Sequence, residues 1–320
     1  MNKQVAIFTH GGGRLGNQLL NFSHLIGWVE ENQEKVELIN MAFWKYAGLF
    51  QGTESNLLCM YPVMSDANSL VKAGQSIARI LQKNRYGNGT RTIRRLLKYV
   101  FRIPSIERND TQTPYIDIGD ESFNSRVMGH RVILIGGWGL RNWRLFAKHQ
   151  EKVREFLAPA RLYEVTASSF IETLRHKYEL LIGVWIRQDD YRIWENGKYF
   201  FETDVYISWM KNVLHLFRNR QVGFVVASSD QQLPDRFKGL DCHMATGEMT
   251  GRGHFFESLV ELSLCDLVMS PPSTYGAWAA FMRNKPLLPL LDRNQDIDTR
   301  MILPDIFQAS QHPEFSRAVN

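Results

Sequence analysis

Val5-Ala6-Ile7-Phe8-Thr9-His10-Gly11-Gly12-Gly13-Arg14-Leu15-Gly16-Asn17-Gln18 decides how this 320-residue chain is read. Val5–Thr9 is a short run of strand-forming residues, and a glycine loop follows it. From Asn17 to Glu31 apolar residues recur at helical spacing, and Val36–Ile39 is a second strand-like run. Strand, loop, helix and strand make a βαβ start, which predicts a parallel sheet. Such a loop turns backbone N–H groups and the positive end of a helix toward an anion. A Walker A loop needs lysine and then serine or threonine after its last glycine. Asn17-Gln18 stand there, so a P-loop NTPase is excluded. Gly11, Gly13 and Gly16 satisfy G-x-G-x-x-G literally. That fingerprint also wants an acid at the end of the second strand, where this chain has Ile39-Asn40, with Glu37 mid-strand. A nicotinamide-dependent oxidoreductase stays as an alternative, and so does a turn whose glycines serve only packing.

Composition frames this start. Hydrophobic residues make up 44% and charged residues 22%, which excludes a disordered or collagen-like chain. Cys59, Cys242 and Cys265 are an odd number without metal-ligand spacing, and so predict reduced thiols. No run approaches the ~18 apolar residues of a membrane span, and the N-terminal apolar run is too short for a signal peptide. A cytoplasmic protein, soluble or peripheral on the inner membrane face, is expected. Net charge is +5, but nine basic residues and no acid lie between Lys72 and Arg102, leaving the remainder mildly acidic. Within residues 91–102, Ile93, Leu96, Leu97, Val100 and Phe101 share one helical face. Arg91, Arg94, Arg95, Lys98 and Arg102 gather on the other. This basic amphipathic helix either packs its apolar face into a core, the simpler expectation, or lies on anionic lipid. Nucleic acid is not an expected partner, because no binding motif accompanies the charge.

Further along, Val132–Ile135 reads as a strand running into Gly136-Gly137-Trp138. A helical pattern through Val153, Phe156 and Leu157 stops at Ala158-Pro159-Ala160. The boundary there predicts an N-terminal domain of residues 1–158 and a C-terminal domain of residues 159–320. The second half alternates strands (Leu181–Ile186, Gly223–Ala227, Asp266–Ser270, Pro286–Leu290) with helices (Asp204–Phe217, His254–Leu264, Tyr275–Arg283). Two doubly wound α/β domains with a site in the crevice between them are the expected architecture.

Four segments carry a family resemblance. Gly13-Arg14-Leu15-Gly16-Asn17-Gln18-Leu19 resembles the N-terminal signature of the α-1,2-fucosyltransferases, relatives of the α-1,6- and protein O-fucosyltransferases. Gly183-Val184-Trp185-Ile186-Arg187-Gln188-Asp189-Asp190-Tyr191 is similar to the family's G-V-H-x-R-R-x-D-Y segment. Phe255 through Trp278, with Cys265-Asp266 and Ser273-Thr274, resembles its L-x-x-C-D and S-T-F-S-x-W stretch. Phe224 to Asp230 is similar to its strand ending in Ser-Asp. The resemblance runs from about residue 5 to 290, and residues 50–125 match nothing in it. It implies a GT-B-like fold of two Rossmann-like domains facing across a cleft.

The resemblance implies an inverting, metal-independent enzyme moving L-fucose from GDP-fucose to a glycan hydroxyl. An α-1,2 linkage and synthesis of a bacterial surface polysaccharide go with it. Donor binding would use Gly12, Gly13, Arg14, Asn17, Trp185, Asp230, Glu248, Ser273 and Thr274. Arg187 would bind the β-phosphate and stabilise the leaving nucleotide, a role that suits a planar guanidinium at a strand end. On its own residues, Arg187 also reads as a salt-bridge partner of Asp189 or Asp190. Glu195, eight residues after Arg187, corresponds to a proposed base in the α-1,6 branch. Glu248 lies near where relatives place a guanine-reading acid. Two positions depart from the pattern: Trp185 replaces a histidine and Gln188 the second arginine. A donor of another kind, or a non-catalytic nucleotide- or glycan-binding relative, therefore stays as an alternative. Asp230 and Ser273 read equally as helix or turn caps, and Asp204 as the cap of the helix that follows it. Asp296-Ile297-Asp298 reads as a solvated turn and not a cation site.

Overall fold

The computed structural model describes residues 3–63, 88–107 and 115–319. Lys72, Arg79, Lys83 and Arg85 of the basic segment lie outside the described residues. The chain divides into two compact units, one ending at Ala160 and the other spanning Arg161–Val319.

The first unit is built on a five-stranded sheet in the order β3-β2-β1-β6-β4. These are β1 (Gln4–His10), β2 (Val36–Asn40), β3 (Met60–Tyr61), β4 (Ser105–Glu107) and β6 (Val132–Gly136). All pair in parallel except β3, which returns antiparallel on the edge. A separate parallel pair joins β5 (Ile116–Asp117) to β7 (Leu140–Arg141). The Leu15–Glu31 helix is buried on nearly every side, from Leu15 to Val29. That burial explains its weak amphipathic signal: apolar residues surround it instead of forming one stripe.

The second unit holds β8 (Leu180–Ile186), β9 (Val222–Ser228), β10 (Cys242–Met244), β11 (Leu267–Ser270) and β12 (Leu287–Pro289). They form an all-parallel sheet in the order β10-β9-β8-β11-β12. Every residue of β8 and β9 is buried, as parallel strands covered on both faces require. Trp209, Tyr206 and Phe224 are fully buried in the core on one face. The order turns around β8: chain connections run outward to β9 and β10 on one side, and to β11 and β12 on the other. In such a sheet ligands bind beyond the carboxyl ends of the strands where the order reverses. β1 occupies the same place in the first unit, between β2 and β6.

Two expectations need correction. Glu202, not Asp204, is the residue before the Thr203–Leu216 helix, while Asp204 lies in its first turn and pairs with Arg236 at 2.8 Å. The apolar face at 91–102 is not packed away. Asn88–Arg95 is helical and Leu96–Val100 continues it as a π-turn. Leu96, Tyr99, Val100 and Phe101 are 45%, 69%, 66% and 63% exposed. Arg94 and Lys98 are instead drawn onto Glu107, at 2.8 and 3.0 Å. A buried-side carboxylate outcompeted the simple split of faces. Asp298 caps a short turn and pairs with Arg300, and the three cysteines are free, as read from the sequence.

Candidate functional site

In the first unit the glycine loop leaves β1 at its carboxyl end. Gln18, one turn into the helix and buried, reaches back to donate through Nε2 to the carbonyls of Gly11 (2.6 Å) and Gly12 (3.0 Å). A Cβ at Gly12 would stand 2.0 Å from Trp138, which follows β6. Gly13 has φ +82°, a region that favours glycine, and a Cβ there would meet the Asn17 amide at 2.2 Å. The loop is thus pressed between Trp138 and the Asn17–Gln18 turn. Arg14 precedes the helix in an exposed position, no side chain caps that N-terminus, and its first turn carries no acid. First-turn amides without a side-chain cap are what an anion can use. Asn40, at the end of β2, turns its side chain to the Phe43 amide at 3.1 Å. The strand end thus offers a capping amide where a dinucleotide ribose needs an acid, which weakens the oxidoreductase alternative.

Sequence reasoning passed over a residue behind this loop. Arg141 is buried, and its Nη1 donates to Asn21 Oδ1 (2.5 Å) and the Leu140 carbonyl (2.9 Å). Asn21 in turn lies against Gly11, where a Cβ would stand 2.6 Å from its amide nitrogen. Nothing in Leu140-Arg141-Asn142 marks that arginine as interior. Nearby His10 bonds Thr9 Oγ1 at 3.0 Å, and burial with Arg94 and Lys98 close by holds its pKa below the usual value.

In the second unit the reversal point gathers Arg187 from the end of β8 and Ser273 from the end of β11. The Arg187 guanidinium, 13% exposed, contacts Asp190 at 2.6 Å and lies 5.3 Å from the centre of the Tyr191 ring. The salt bridge foreseen for Arg187 therefore exists, with Asp190. The Arg187 backbone amide donates to the Tyr206 hydroxyl at 3.2 Å. Tyr191 donates to the Pro272 carbonyl, tying the arginine loop to the turn before Ser273. Burial raises the pKa of Tyr191 and Tyr206, so both phenols stay neutral, Tyr191 donating to Pro272 and Tyr206 accepting from the Arg187 amide.

Trp185 is buried at the end of β8. Its indole stacks on Tyr275 with ring centres 4.2 Å apart, and Nε1 donates to Ser273 Oγ at 3.2 Å. Ser273 caps the Thr274–Met282 helix, accepting from the Tyr275 amide at 3.3 Å, so the capping reading holds. Thr274 opens that helix, half-buried. Gln188 is interior too. It donates to the Phe201 carbonyl (2.9 Å) and accepts from Gln232 (3.0 Å), which is itself held by Thr203. Asp230 accepts from the Asp189 amide at 3.1 Å and lies 3.8 Å from Arg192. Trp185, Arg187, Asp230, Ser273 and Thr274 are therefore brought to one edge of the sheet.

Glu195 and Glu248 lie on separate loops. Glu195 is exposed in a tight turn in which Glu195, Asn196 and Gly197 all have left-handed backbones (φ 49°, 56° and 77°). For the two non-glycine residues this costs energy that the surroundings must supply. Glu314 of the C-terminal helix accepts from Lys198 and Tyr199, just beyond the turn. Glu248 is exposed in the glycine-rich loop after β10. That loop closes on itself through Gly253 N to the Thr246 carbonyl at 2.7 Å. Beneath it Thr246 bonds two glutamates of the Phe255–Leu264 helix, Oγ1 to Glu257 at 2.9 Å and to fully buried Glu261 at 2.5 Å. The Thr246 amide also donates to Glu261 at 3.0 Å. Burial outweighs these bonds, and with Glu257 close by the Glu261 pKa is pushed up to about 7. Among the described residues no group of three or more His, Cys, Asp or Glu is arranged to hold a metal ion. None of the described helices is long and apolar enough to cross a membrane.

No family model matches the chain, and no curated protein matches it in sequence. Solved structures do match in fold. POFUT1 in complex with GDP-fucose superposes with a TM-score of 0.53 at 10% identity, over 89% of this chain and 95% of that one. A mutant of FUT1 from Arabidopsis thaliana in complex with GDP gives 0.51 at 11% identity, over 94% of this chain and 72% of that one. The mixed α/β architecture with parallel sheets in each unit is therefore GT-B-like, the fold class expected from the sequence.

Proposed function

We propose that this protein is a glycosyltransferase that moves L-fucose from GDP-fucose to a hydroxyl of a glycan acceptor with inversion. The observation that carries the reading is Arg187. A largely buried guanidinium stands where the sheet order reverses, beside the N-terminus of the Thr274–Met282 helix. That is a place for a diphosphate. The fold neighbours bound to GDP and GDP-fucose, and the four resembling segments, support GDP-fucose as the donor.

In this reading the acceptor oxygen attacks the anomeric carbon as the bond to the β-phosphate oxygen breaks, and its electron pair leaves with GDP. Asp190 takes part of the Arg187 fork, and the remaining N–H donors meet the phosphate oxygens. The amides at the start of the Thr274–Met282 helix add positive potential, so charge on the leaving group is met by this chain's own groups. Gly12, Gly13, Arg14 and Asn17 serve the donor from the first unit. Trp185 acts through Ser273 and Tyr275 and does not stack on the base, since both its faces are buried in packing. Asp230 and Glu248 are the acids for the nucleoside end. Glu195 is the base that takes the acceptor proton. An α-1,2 linkage belongs to the same reading. So does cytoplasmic assembly of a surface glycan.

Ligand-induced thermal stabilisation tests this on wild type and Arg187→Ala. The ligands are GDP, GDP-fucose, GDP-mannose, UDP-glucose, dTDP-rhamnose and NADH. GDP and GDP-fucose should raise the melting temperature, less so in the variant. A shift with another nucleotide sugar alone discards fucose, and one with NADH alone discards the transferase. Donor binding without turnover across acceptor glycans identifies a non-catalytic relative.

A further inference from the structure

We infer that the segment Arg95–Arg102 is a docking surface for an anionic lipid membrane. Its apolar side chains face outward: Tyr99, Val100 and Phe101 are each more than three-fifths exposed, and Leu96 nearly half. The reason is local. The chain turns through a π-turn in which the Phe101 amide bonds the Leu96 carbonyl at 3.1 Å. It ends at Arg102, a non-glycine residue with a left-handed backbone (φ 52°), where the Ile103 amide returns to the Leu97 carbonyl at 3.1 Å. Arg94 and Lys98 hold the base of the segment through Glu107. That anchor fixes the presentation of the exposed tip, because Glu107 ends β4 and registers with Gly136 of β6.

The occupant follows from charge and shape. Arg95 and Arg102 are exposed on either side of the apolar tip, and no acid occurs from Lys72 to Arg102. A protein partner's apolar groove would match Val100 and Phe101. Two exposed arginines flanking two aromatics and a valine match an interface that is apolar within and anionic at its surface. Tyr99 and Phe101 suit the headgroup level, the tyrosine with its polar end in water. The register places Glu107, with the Arg94 and Lys98 side chains on it, at the carboxyl end of the first sheet, while the chain after Arg102 enters β4 at Ser105, the strand's other end. The docking surface stands without the donor reading.

Co-sedimentation of the full chain with vesicles tests the inference without any donor or acceptor. Vesicles of phosphatidylcholine alone are compared with vesicles containing 30% phosphatidylglycerol. Wild type should pellet with the anionic vesicles and be released by high salt. Arg95→Gln with Arg102→Gln should weaken partitioning about thirtyfold, two cations near the surface at the usual strength each. Tyr99→Ser with Val100→Ser and Phe101→Ser should abolish it. Unchanged melting temperatures in both variants, with GDP stabilisation measured in parallel, separate docking from folding and from the donor site. Wild type that ignores anionic vesicles overturns the inference, as does binding that neither variant changes. A wild-type dimer in sedimentation velocity that the serine variant dissociates also overturns it, because a second copy then covers the tip.

Discussion

Glu261→Gln isolates the carboxyl under the loop after β10. Thr246 has one hydroxyl proton and two glutamates to serve, Glu257 and Glu261. If Glu261 is neutral, its own proton goes to Thr246 Oγ and the threonine proton goes to Glu257, so every group is satisfied. Burial is the main cause of the raised pKa, about 7 against the model-peptide 4.5. The sign follows from proton binding. Between those two values the folded chain holds a proton that the unfolded chain has lost, so stability rises as pH falls through that window and is level above it. From pH 8 to pH 5 this contributes about 2 to 3 kcal/mol. Glutamine imitates the neutral acid at every pH and removes this slope. Histidines complicate a single curve: His24, whose pKa is held well down by burial, opposes folding on the acid side. They act equally in both proteins, so the quantity to measure is the difference. Urea unfolding of wild type and variant at pH 8 and pH 5 gives it. Wild type should gain about 2 to 3 kcal/mol on the variant between the two conditions. A difference of under about 0.5 kcal/mol, or a gain in the other direction, would refute a neutral Glu261 in the folded state.

Three further outcomes are expected. Arg187→Ala should lower the turnover of fucose transfer by on the order of 10² to 10³, with melting temperature little changed; robust activity in the purified variant would remove the arginine from the mechanism. Gly12→Ala puts a methyl group 2.0 Å from Trp138 and should cost about 1 to 3 kcal/mol in urea unfolding. Pairing it with Trp138→Ala should recover part of that loss, and strict additivity would show that the two positions do not touch in solution. Gln188→Ala strands the Phe201 carbonyl in the interior, takes one partner from Gln232, which keeps Ser228 and Thr203, and should cost about 1 to 3 kcal/mol by chemical denaturation; a neutral result would mean water replaces the amide.

The sheets were legible because their strands are short apolar runs bounded by glycine, proline or polar turns. Val5–Thr9, Val36–Ile39, Val132–Ile135 and the four strands read in the second half all lie on or within a residue of strands found. Weaker patterns were lost. β10 is a three-residue strand of Cys242-His243-Met244, too short for any period to show, and the Arg161–Arg175 helix begins two residues after the proline taken as a stop. The site was legible in part for the same reason that strand ends were: Arg187, Asp230 and Ser273 follow apolar runs and point to the reversal edge. Gln18, Arg141 and Gln232 were not, because a polar residue that is buried by tertiary contacts carries no local mark of it. The apolar face at 91–102 shows the converse. Its helical spacing was real, but Glu107, in the strand that follows, drew the cations inward and left the apolar groups outside.

The pairing of β1 with β6 has a consequence for synthesis. Val5 lies beside Val132, so one side of β1 has no partner from the time it is made until the chain has grown past residue 132. At ordinary translation speeds that wait is roughly 6 to 25 seconds. Meanwhile β2 can cover only the other side, since Gln4 pairs with Val36. The first unit therefore spends that interval with one edge of its central strand open, a template for pairing with other chains until β6 arrives.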